Sequence, residues 1–299
     1  MRFRSAKRGL SFLLLPLVAC AGCGRVPQPA PTAEAVQPAI RRAADYLANA
    51  VQADGMFTYC INLDPSITVE EEYGMVRHAG TIYAMCMAYP HHPTADSRSA
   101  ILRAGGYLRG EAIGPVEEGQ GMLAVWSDPE VPADHWALLA TEKLLALGWN
   151  GGETLFRDRL IEHALAIFRP ILREQIHHRR KTRYDGGFSE HGRTTYTSTR
   201  LEGLLATLAF LPKTHPMAES MSTSAERGIS FLLRAQISSG EFSGAMPLAV
   251  APWPGRSDDV AYFNRRSTEV RIDYVQHALS AMVQYAELPD SPAFQSKGP

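Results

Sequence analysis

The sequence predicts an all-α domain made of about four antiparallel helix hairpins. Three observations support this fold class: a unit of two helices recurs along the chain, a glycine and an aromatic residue mark the turn inside the unit, and the second helix is more apolar than the first. The first helices are amphipathic, and their charged face predicts an outer position. They are expected at residues 40–47, 97–108, 155–175 and 225–233.

The turn between the two helices carries the most specific local signal. In the first unit it reads Gln-Ala-Asp-Gly-Met-Phe at residues 52–57, and residues 185–188 and 240–242 have similar Gly-aromatic turns. A degenerate version lies at residues 119–126. Glycine permits the tight or left-handed backbone that ends a helix, so the aromatic that follows is expected to fill the gap between neighbouring units.

The second helix of each unit is apolar on most faces and rich in alanine and glycine. Such a helix is usually buried with close neighbours, which predicts that these four helices form the inner layer. Their predicted starts lie near Arg77, Asp134, Arg200 and Ile272.

The order of outer helix, turn and inner helix resembles the α/α toroids. The turn at residues 52–57 is similar to that of the terpenoid-cyclase and protein-prenyltransferase superfamily, and the same architecture occurs in six-hairpin glycosidases and sugar epimerases. The resemblance covers most of residues 39–287 and marks a fold rather than an activity. Four hairpins are fewer than a complete toroid usually has, which predicts an incomplete ring or one completed by long connections.

The N-terminus predicts export. Four basic residues precede an apolar stretch at residues 9–19, which is too short to span a bilayer as a mature helix. Residues 17–20, Leu-Val-Ala-Cys, resemble a lipobox, so Cys20 is expected to become the lipidated first residue. The alternative is an ordinary signal peptide. The predicted location is the cell envelope, with the protein lipid-anchored to a bacterial membrane at its periplasmic or extracellular face.

Composition sets the domain limits and excludes several partners. We expect a signal peptide at residues 1–19, a lipidated cysteine and Pro-rich tether at 20–38, the toroid domain at 39–288 and a disordered tail at 289–299. The net charge of −1 argues against a general nucleic-acid binder. No Cys-x-x-Cys pair lies inside the folded part, so neither a zinc site nor another cofactor is predicted, and a Cys60–Cys86 disulfide stays open.

The beginnings of the inner helices are the predicted site. In a ring, all inner helices run the same way, so their N-termini open at one mouth, where unpaired N–H groups and helix dipoles attract anions. Polar residues cluster at these positions: Arg77, His78, His135, Arg200, Glu202, Arg271, Asp273 and His277. The structural alternative is that the histidines are satisfied core residues and that Arg200–Glu202 and Arg271–Asp273 are ion pairs. Their recurrence over four repeats favours a pocket.

The available residues suit some toroid chemistries better than others. The acidic run at 257–260 is expected to lie in a Pro- and Gly-flanked loop and is not the Asp-rich motif of terpenoid cyclases, and no inner-helix cysteine matches the zinc ligands of prenyltransferases. Enzymes that act on glycans on this scaffold need carboxylates, histidines and aromatic rings, which are present. The expected function is a glycan-processing enzyme (hydrolase, lyase or epimerase) that uses acid–base chemistry on an anionic saccharide.

The residues expected to act are His78, Glu202 and Asp273 in catalysis, with Arg77, His135, Trp136, Tyr196, Arg200, Arg271 and His277 in substrate binding. Arg77 is expected to recognise the anion, because its own turn contains no carboxylate. One alternative is a non-catalytic envelope lipoprotein that binds a glycan or a protein segment. The other is a terpenoid cyclase-like enzyme acting on a polyprenyl substrate.

Overall fold

The computed structural model describes residues 29–69, 72–111, 113–115, 123–125, 154–177 and 182–289. These residues are mainly helical, which confirms the all-α prediction. The helices are α1 Ala33–Ala50, α2 Met75–Ala88, α3 Ala95–Glu111, α4 Thr154–Glu174, α5 Thr194–Phe210, α6 Ala218–Ala235, α7 Asp258–Arg266 and α8 Ile272–Glu287. The strands are β1 Cys60–Asn62, β2 Ile113–Pro115, β3 Leu123–Val125 and β4 Glu269–Arg271. Within these ranges no helix is both long and apolar enough to cross a bilayer.

Several predicted features lie outside the described residues. They are the signal peptide with Cys20, the inner helix expected near Asp134, and the site residues His135 and Trp136. Cys60 and Cys86, whose redox state the sequence leaves open, are not disulfide-bonded in the described part of the chain.

Helix α8 lies at the centre of the packing. It contacts α1, α2 and α5, and nearly all of its side chains are buried. Between Asp273 and Glu287 its sequence contains no Asp, Glu, Lys or Arg, so apolar side chains such as Val275 and Leu279 can face neighbours on every side. Each such fully buried side chain stabilises the fold by about 1.5–3 kcal/mol relative to exposure.

Helices α1, α3, α4 and α6 correspond to the predicted outer helices, and α1 presents one apolar face to this core. In α1 that face comprises Val36, Ile40 and Leu47, which are completely buried and recur with the period of a helix. Helix α1 begins at Ala33, inside the segment predicted to be a tether, and Val36 anchors this first turn in the core.

A turn with the same construction closes three of the outer helices. Each turn has a glycine with positive φ, at Gly55 (95°), Gly186 (86°) and Gly244 (93°). A Cβ atom on any of them would overlap a backbone carbonyl of another outer helix: that of Arg103 in α3, Arg227 in α6 and Arg42 in α1, respectively. Only glycine permits this close approach, which locks each turn onto the neighbouring hairpin.

The residue two positions after each of these glycines fills the gap between hairpins. Phe57, Phe188 and Met246 occupy this position, and all three are buried. In the last unit the predicted pair, Gly240 and Phe242, does not have this role: a Cβ on Gly240 would meet nothing within 4 Å. The sequence pattern pointed to the wrong glycine because it required an aromatic plug, whereas the flexible side chain of Met246 fills the space.

A glutamine at the C-terminal end of two outer helices completes the connection. The side-chain amide of Gln175, after α4, donates to the Ser224 carbonyl of α6 (2.9 Å), and that of Gln236, after α6, donates to the Ala39 carbonyl of α1 (3.0 Å). The turn after α6 therefore joins the last outer helix to the first.

Helix α5 begins at Thr194 and not near Arg200, where its start was predicted. The hydroxyls of Thr197, Ser198 and Thr199 each donate to the backbone carbonyl four residues earlier, that of Arg193 just before the helix and those of Thr194 and Thr195 within it, so the run that was expected to cap the helix is part of it. Arg200 therefore lies two turns inside α5.

Short extended segments hold the first turns of α5 and α8 side by side. Strand β1 pairs antiparallel with β4, placing Cys60 opposite Arg271. Strands β2 and β3 form a separate antiparallel sheet of two strands. The Leu248 N–H donates to the Glu269 carbonyl, and the Thr194 N–H donates to the Leu248 carbonyl. This ladder links parts of the chain that are distant in sequence.

Candidate functional site

The first turns of α2, α5 and α8 lie at one end of the protein. Arg77 of α2 is 3.5 Å from Asp273 of α8, measured from Nε to Oδ2. Residues from the first turns of α5 and α8 line one pocket. The structure thus brings together the three described inner-helix beginnings.

The pocket between these first turns has a volume of about 280 Å³. Among the described residues its lining is basic and aromatic and includes no carboxylate: Arg193, Thr195, Tyr196, Leu248, Tyr262, Phe263, Arg266, Arg271 and Tyr274. Helix α7, which the sequence did not predict, supplies one wall. Of the residues predicted to bind substrate, Tyr196 and Arg271 lie in this lining.

Two of the pocket arginines are held in place by carboxylates behind them. Arg266 donates to both carboxylate oxygens of Glu269, at 2.7 and 2.8 Å. Arg271 donates to both oxygens of Asp273, at 2.6 and 3.1 Å. Burial raises the pKa of Tyr274, whose protonated hydroxyl also donates to Glu269 (2.7 Å). These bidentate pairs fix the orientation of both guanidinium groups.

Arg193 has a different environment from the other two. Its Cζ lies 5.2 Å from the Phe263 ring centroid and 5.9 Å from that of Tyr196. No carboxylate within the described residues forms an ion pair with it, and the side chain is half-buried. The residue immediately precedes α5, as Arg271 precedes α8, and it was missed because the start of α5 was predicted too late.

Arg77 is not the carboxylate-free arginine that its local sequence suggested. Its Nη1 donates to the Tyr59 hydroxyl (2.8 Å), and its Nε shares Asp273 with Arg271. The expectation considered only the turn that contains Arg77, whereas the carboxylate comes from another helix. Asp273, predicted as catalytic, lies between two arginines and is 5% exposed.

His78, the predicted catalytic histidine, is completely buried between α2 and α3. Burial lowers its pKa, which favours the neutral ring. Its Nδ1 accepts from the Tyr73 hydroxyl (2.6 Å), and its Nε2 then donates to the Ala104 carbonyl (2.9 Å). It forms no hydrogen bond with Glu202 or Asp273 among the described residues, so its catalytic role stays a prediction and does not enter our proposal.

Glu202 contacts a different histidine. Its Oε2 lies 2.8 Å from Nδ1 of His277, which joins the third turn of α5 to the second turn of α8. The Glu202 side chain is 2% exposed and that of His277 is 16% exposed. Burial by itself lowers the pKa of His277, but the neighbouring Glu202 carboxylate outweighs it, so the pKa is raised overall.

Arg200 lies beside the pocket and does not line it. Its Nη2 donates to Glu174 of α4 (3.2 Å), and its Cζ lies 4.8 Å from the Tyr196 ring centroid. Its ion pair is therefore not the Arg200–Glu202 pair of the structural alternative, whereas the Arg271–Asp273 pair of that alternative is present.

The described residues include no group of histidine, cysteine, aspartate or glutamate side chains arranged to hold a metal ion. No protein-family model, curated protein or solved structure matches the chain. Its function is therefore inferred from its residues and their geometry.

Proposed function

We propose that the protein is an exported lipoprotein that binds an anionic saccharide in the pocket between α5, α7 and α8. The observation that carries the proposal is Arg193, a half-buried guanidinium that lies over the Tyr196 and Phe263 rings and forms no ion pair with a carboxylate of the described residues. An arginine held in a pocket without a carboxylate is ready to pair with an anion from outside. The lipid anchor at Cys20 rests on the sequence of the N-terminus.

Other features of the pocket suit a saccharide that carries a carboxylate. Four aromatic rings can pack against the apolar face of a sugar. The Thr195 hydroxyl is buried and has no hydrogen-bond partner in the described part of the chain, so it is available to a polar ligand. The N-termini of α5 and α8 add partial positive charge at the same place.

We further propose that the scaffold is an α/α toroid. In support, the repeated glycine turns each lock onto another outer helix, and the turn after α6 contacts α1. A chain of hairpins whose last member holds its first forms a ring.

The test is Arg193→Gln, assayed by calorimetric binding of an oligogalacturonate and of a neutral oligogalactoside of the same length. We expect the wild type to prefer the acidic ligand and to lose affinity as salt rises, because exposed charges are screened. Loss of one charged hydrogen-bond donor should weaken acidic binding roughly 10–100-fold, given about 1.5–3 kcal/mol for such a bond.

Arg98→Gln is the matched control, since Arg98 is an exposed arginine of α3 that does not line the pocket. It should bind the acidic ligand like the wild type. Equal binding of acidic and neutral ligands, or equal losses in both variants, would refute the proposal.

A second candidate function, the processing of the same saccharide by acid–base catalysis, is favoured by the Glu202–His277 pair, which lies one to two turns further along α5 and α8 than the residues that line the pocket. A histidine whose pKa is raised by a buried carboxylate can hold and release a proton near neutral pH. His277→Gln should lower turnover, measured as new chain ends released from an acidic polysaccharide, by about 10²–10⁴-fold while binding is retained. Unchanged turnover in this variant, or wild-type protein that binds but never cleaves, would leave only the binding function.

A further inference from the structure

In the part of the chain that the structure describes, the large aromatic side chains that are exposed lie at this pocket. Among the described residues, three large hydrophobic side chains are exposed, and two of them, Tyr196 (49%) and Tyr262 (55%), line the pocket. They belong to different helices, α5 and α7. Solvent-exposed aromatic rings at the rim of a polar pocket are typical of a binding surface.

Each exposed tyrosine is accompanied by two arginines. We call Tyr196 with Arg193 and Arg200 the α5 cluster; the two Cζ atoms lie 5.9 and 4.8 Å from the ring centroid. The α7 cluster is Tyr262 with Arg265 and Arg266, at 5.9 and 5.4 Å. Arg266 also donates to the Tyr262 hydroxyl (2.7 Å).

The two clusters have the same balance of charge. In each, one arginine is paired with a carboxylate: Arg200 with Glu174, and Arg266 with Glu269. In each, the other arginine, Arg193 or Arg265, has no carboxylate partner within the described ranges. Each cluster therefore has one guanidinium without a carboxylate partner in the described ranges: Arg193, which lines the pocket, and Arg265, which lies outside it.

The positive surface also extends beyond the pocket. Arg193 and Arg266 belong to the lining, whereas Arg200 and Arg265 contact the same two tyrosines from outside it. A single acidic sugar in the pocket would leave Arg265 without an anion, whereas Arg200 already pairs with Glu174. A chain with an anionic group on successive residues would reach both clusters.

From this arrangement we infer that the ligand is a polyanionic glycan chain, bound across the pocket by the α5 and α7 clusters. The inference rests on the proposed function and extends it from one acidic sugar to a polymer. Single-stranded nucleic acid also combines repeated charge with rings, but a net charge of −1 disfavours a protein that tracks a phosphate backbone. Once one cluster has bound the glycan chain, the other cluster binds the same chain within the complex, which raises the overall affinity.

The experiment compares oligogalacturonate dimer, tetramer and octamer by calorimetry, using wild type, Arg265→Gln and the control Arg98→Gln. We expect roughly a tenfold or greater rise in affinity from dimer to octamer in the wild type and in the control. Arg265→Gln should lose most of that rise and bind the dimer as the wild type does. Tyr262→Ala should also lose most of that rise, and it should weaken dimer binding as well because its ring lines the pocket.

The decisive comparison is variant against wild type at equal length, because a longer chain also offers more binding registers. If the dimer binds with preference over a neutral dimer but Arg265→Gln leaves octamer affinity unchanged, the polymer inference is wrong and the proposed function stands. If no acidic oligomer is preferred over a neutral one, the proposed function fails. An oligothymidylate that binds as tightly as the octamer would overturn the glycan assignment in favour of nucleic acid.

Discussion

Gly244→Ala is expected to lower the free energy of unfolding by at least about 4 kcal/mol, among the larger effects seen for one methyl group. Gly244 has a φ of 93° and lies directly against the Arg42 carbonyl of α1, where an alanine Cβ would overlap the oxygen. The atom it meets is backbone, so relief requires α1 and the turn after α6 to separate. That movement would also loosen the bond from Gln236 to Ala39.

Gly240→Ala is the matched control for this prediction. Gly240 lies in the same loop and has a similar φ of 82°, but a Cβ there meets nothing within 4 Å. This substitution should lower the free energy of unfolding by only roughly 1–2 kcal/mol, which is the backbone strain of an L-residue in the left-handed region. Both variants are measured by urea unfolding followed by circular dichroism. If they destabilise the protein equally, the contact of this turn with α1 does not hold the first and last hairpins together.

Glu202→Gln is expected to lower the free energy of unfolding by about 3–5 kcal/mol at about pH 5.5, because it breaks a buried ion pair. Glutamine keeps the shape of the side chain but removes the charge that raises the pKa of His277. In the variant, burial and the charge of Arg271 oppose protonation of this histidine. Asp273 is then the one carboxylate, of the two that raise its pKa in the wild type, that is still present.

The size of the effect depends on pH in a defined direction. In the wild type the pKa of His277 is higher in the folded state than the value of about 6.5 in the unfolded state. The pair therefore contributes its full stability below about pH 6.5, and this contribution is lost as pH rises through the folded-state pKa. The difference between wild type and Glu202→Gln should be largest in mild acid and should shrink at alkaline pH.

The pH dependence that His78 contributes to stability has the opposite sign, but it does not affect this comparison. Because burial lowers its pKa, its contribution is present above about pH 6.5 and declines as pH falls toward the folded-state value. The residue is the same in both proteins, so its effect cancels in their difference.

The control for the ion pair is Glu174→Gln, which breaks the Arg200–Glu174 pair between α4 and α5. The Glu174 side chain is 56% exposed, so its loss should cost at most about 1 kcal/mol at any pH. NMR titration of His277 provides an independent readout, with a pKa above that of a free histidine. A Glu202→Gln effect as small as that of Glu174→Gln, or one that grows with pH, would contradict the prediction.

The paired helices and their amphipathic faces could be predicted from the sequence, because they depend on contacts within a few residues. The buried stripe of α1 and the glycine turn at 52–57 are of this kind. Short strands such as β1 and β4 could not, since three residues carry no usable periodicity and their partners are distant in the chain. Helix α7 was missed because its residues form a mainly polar surface with few buried side chains.

The sequence predicted which arginines lie near the beginnings of the inner helices, but it did not predict the carboxylates and rings that they contact. Arg77 lacked a carboxylate in its own turn, yet it shares Asp273 with Arg271, and His78 lies against Tyr73 and Ala104. Local sequence determines which helix face a residue occupies, because that follows from 3.6 residues per turn. Which charge stands opposite depends on how helices pack, and only tertiary contact decided that Glu202 meets His277 and that Arg193 meets no carboxylate in the described structure.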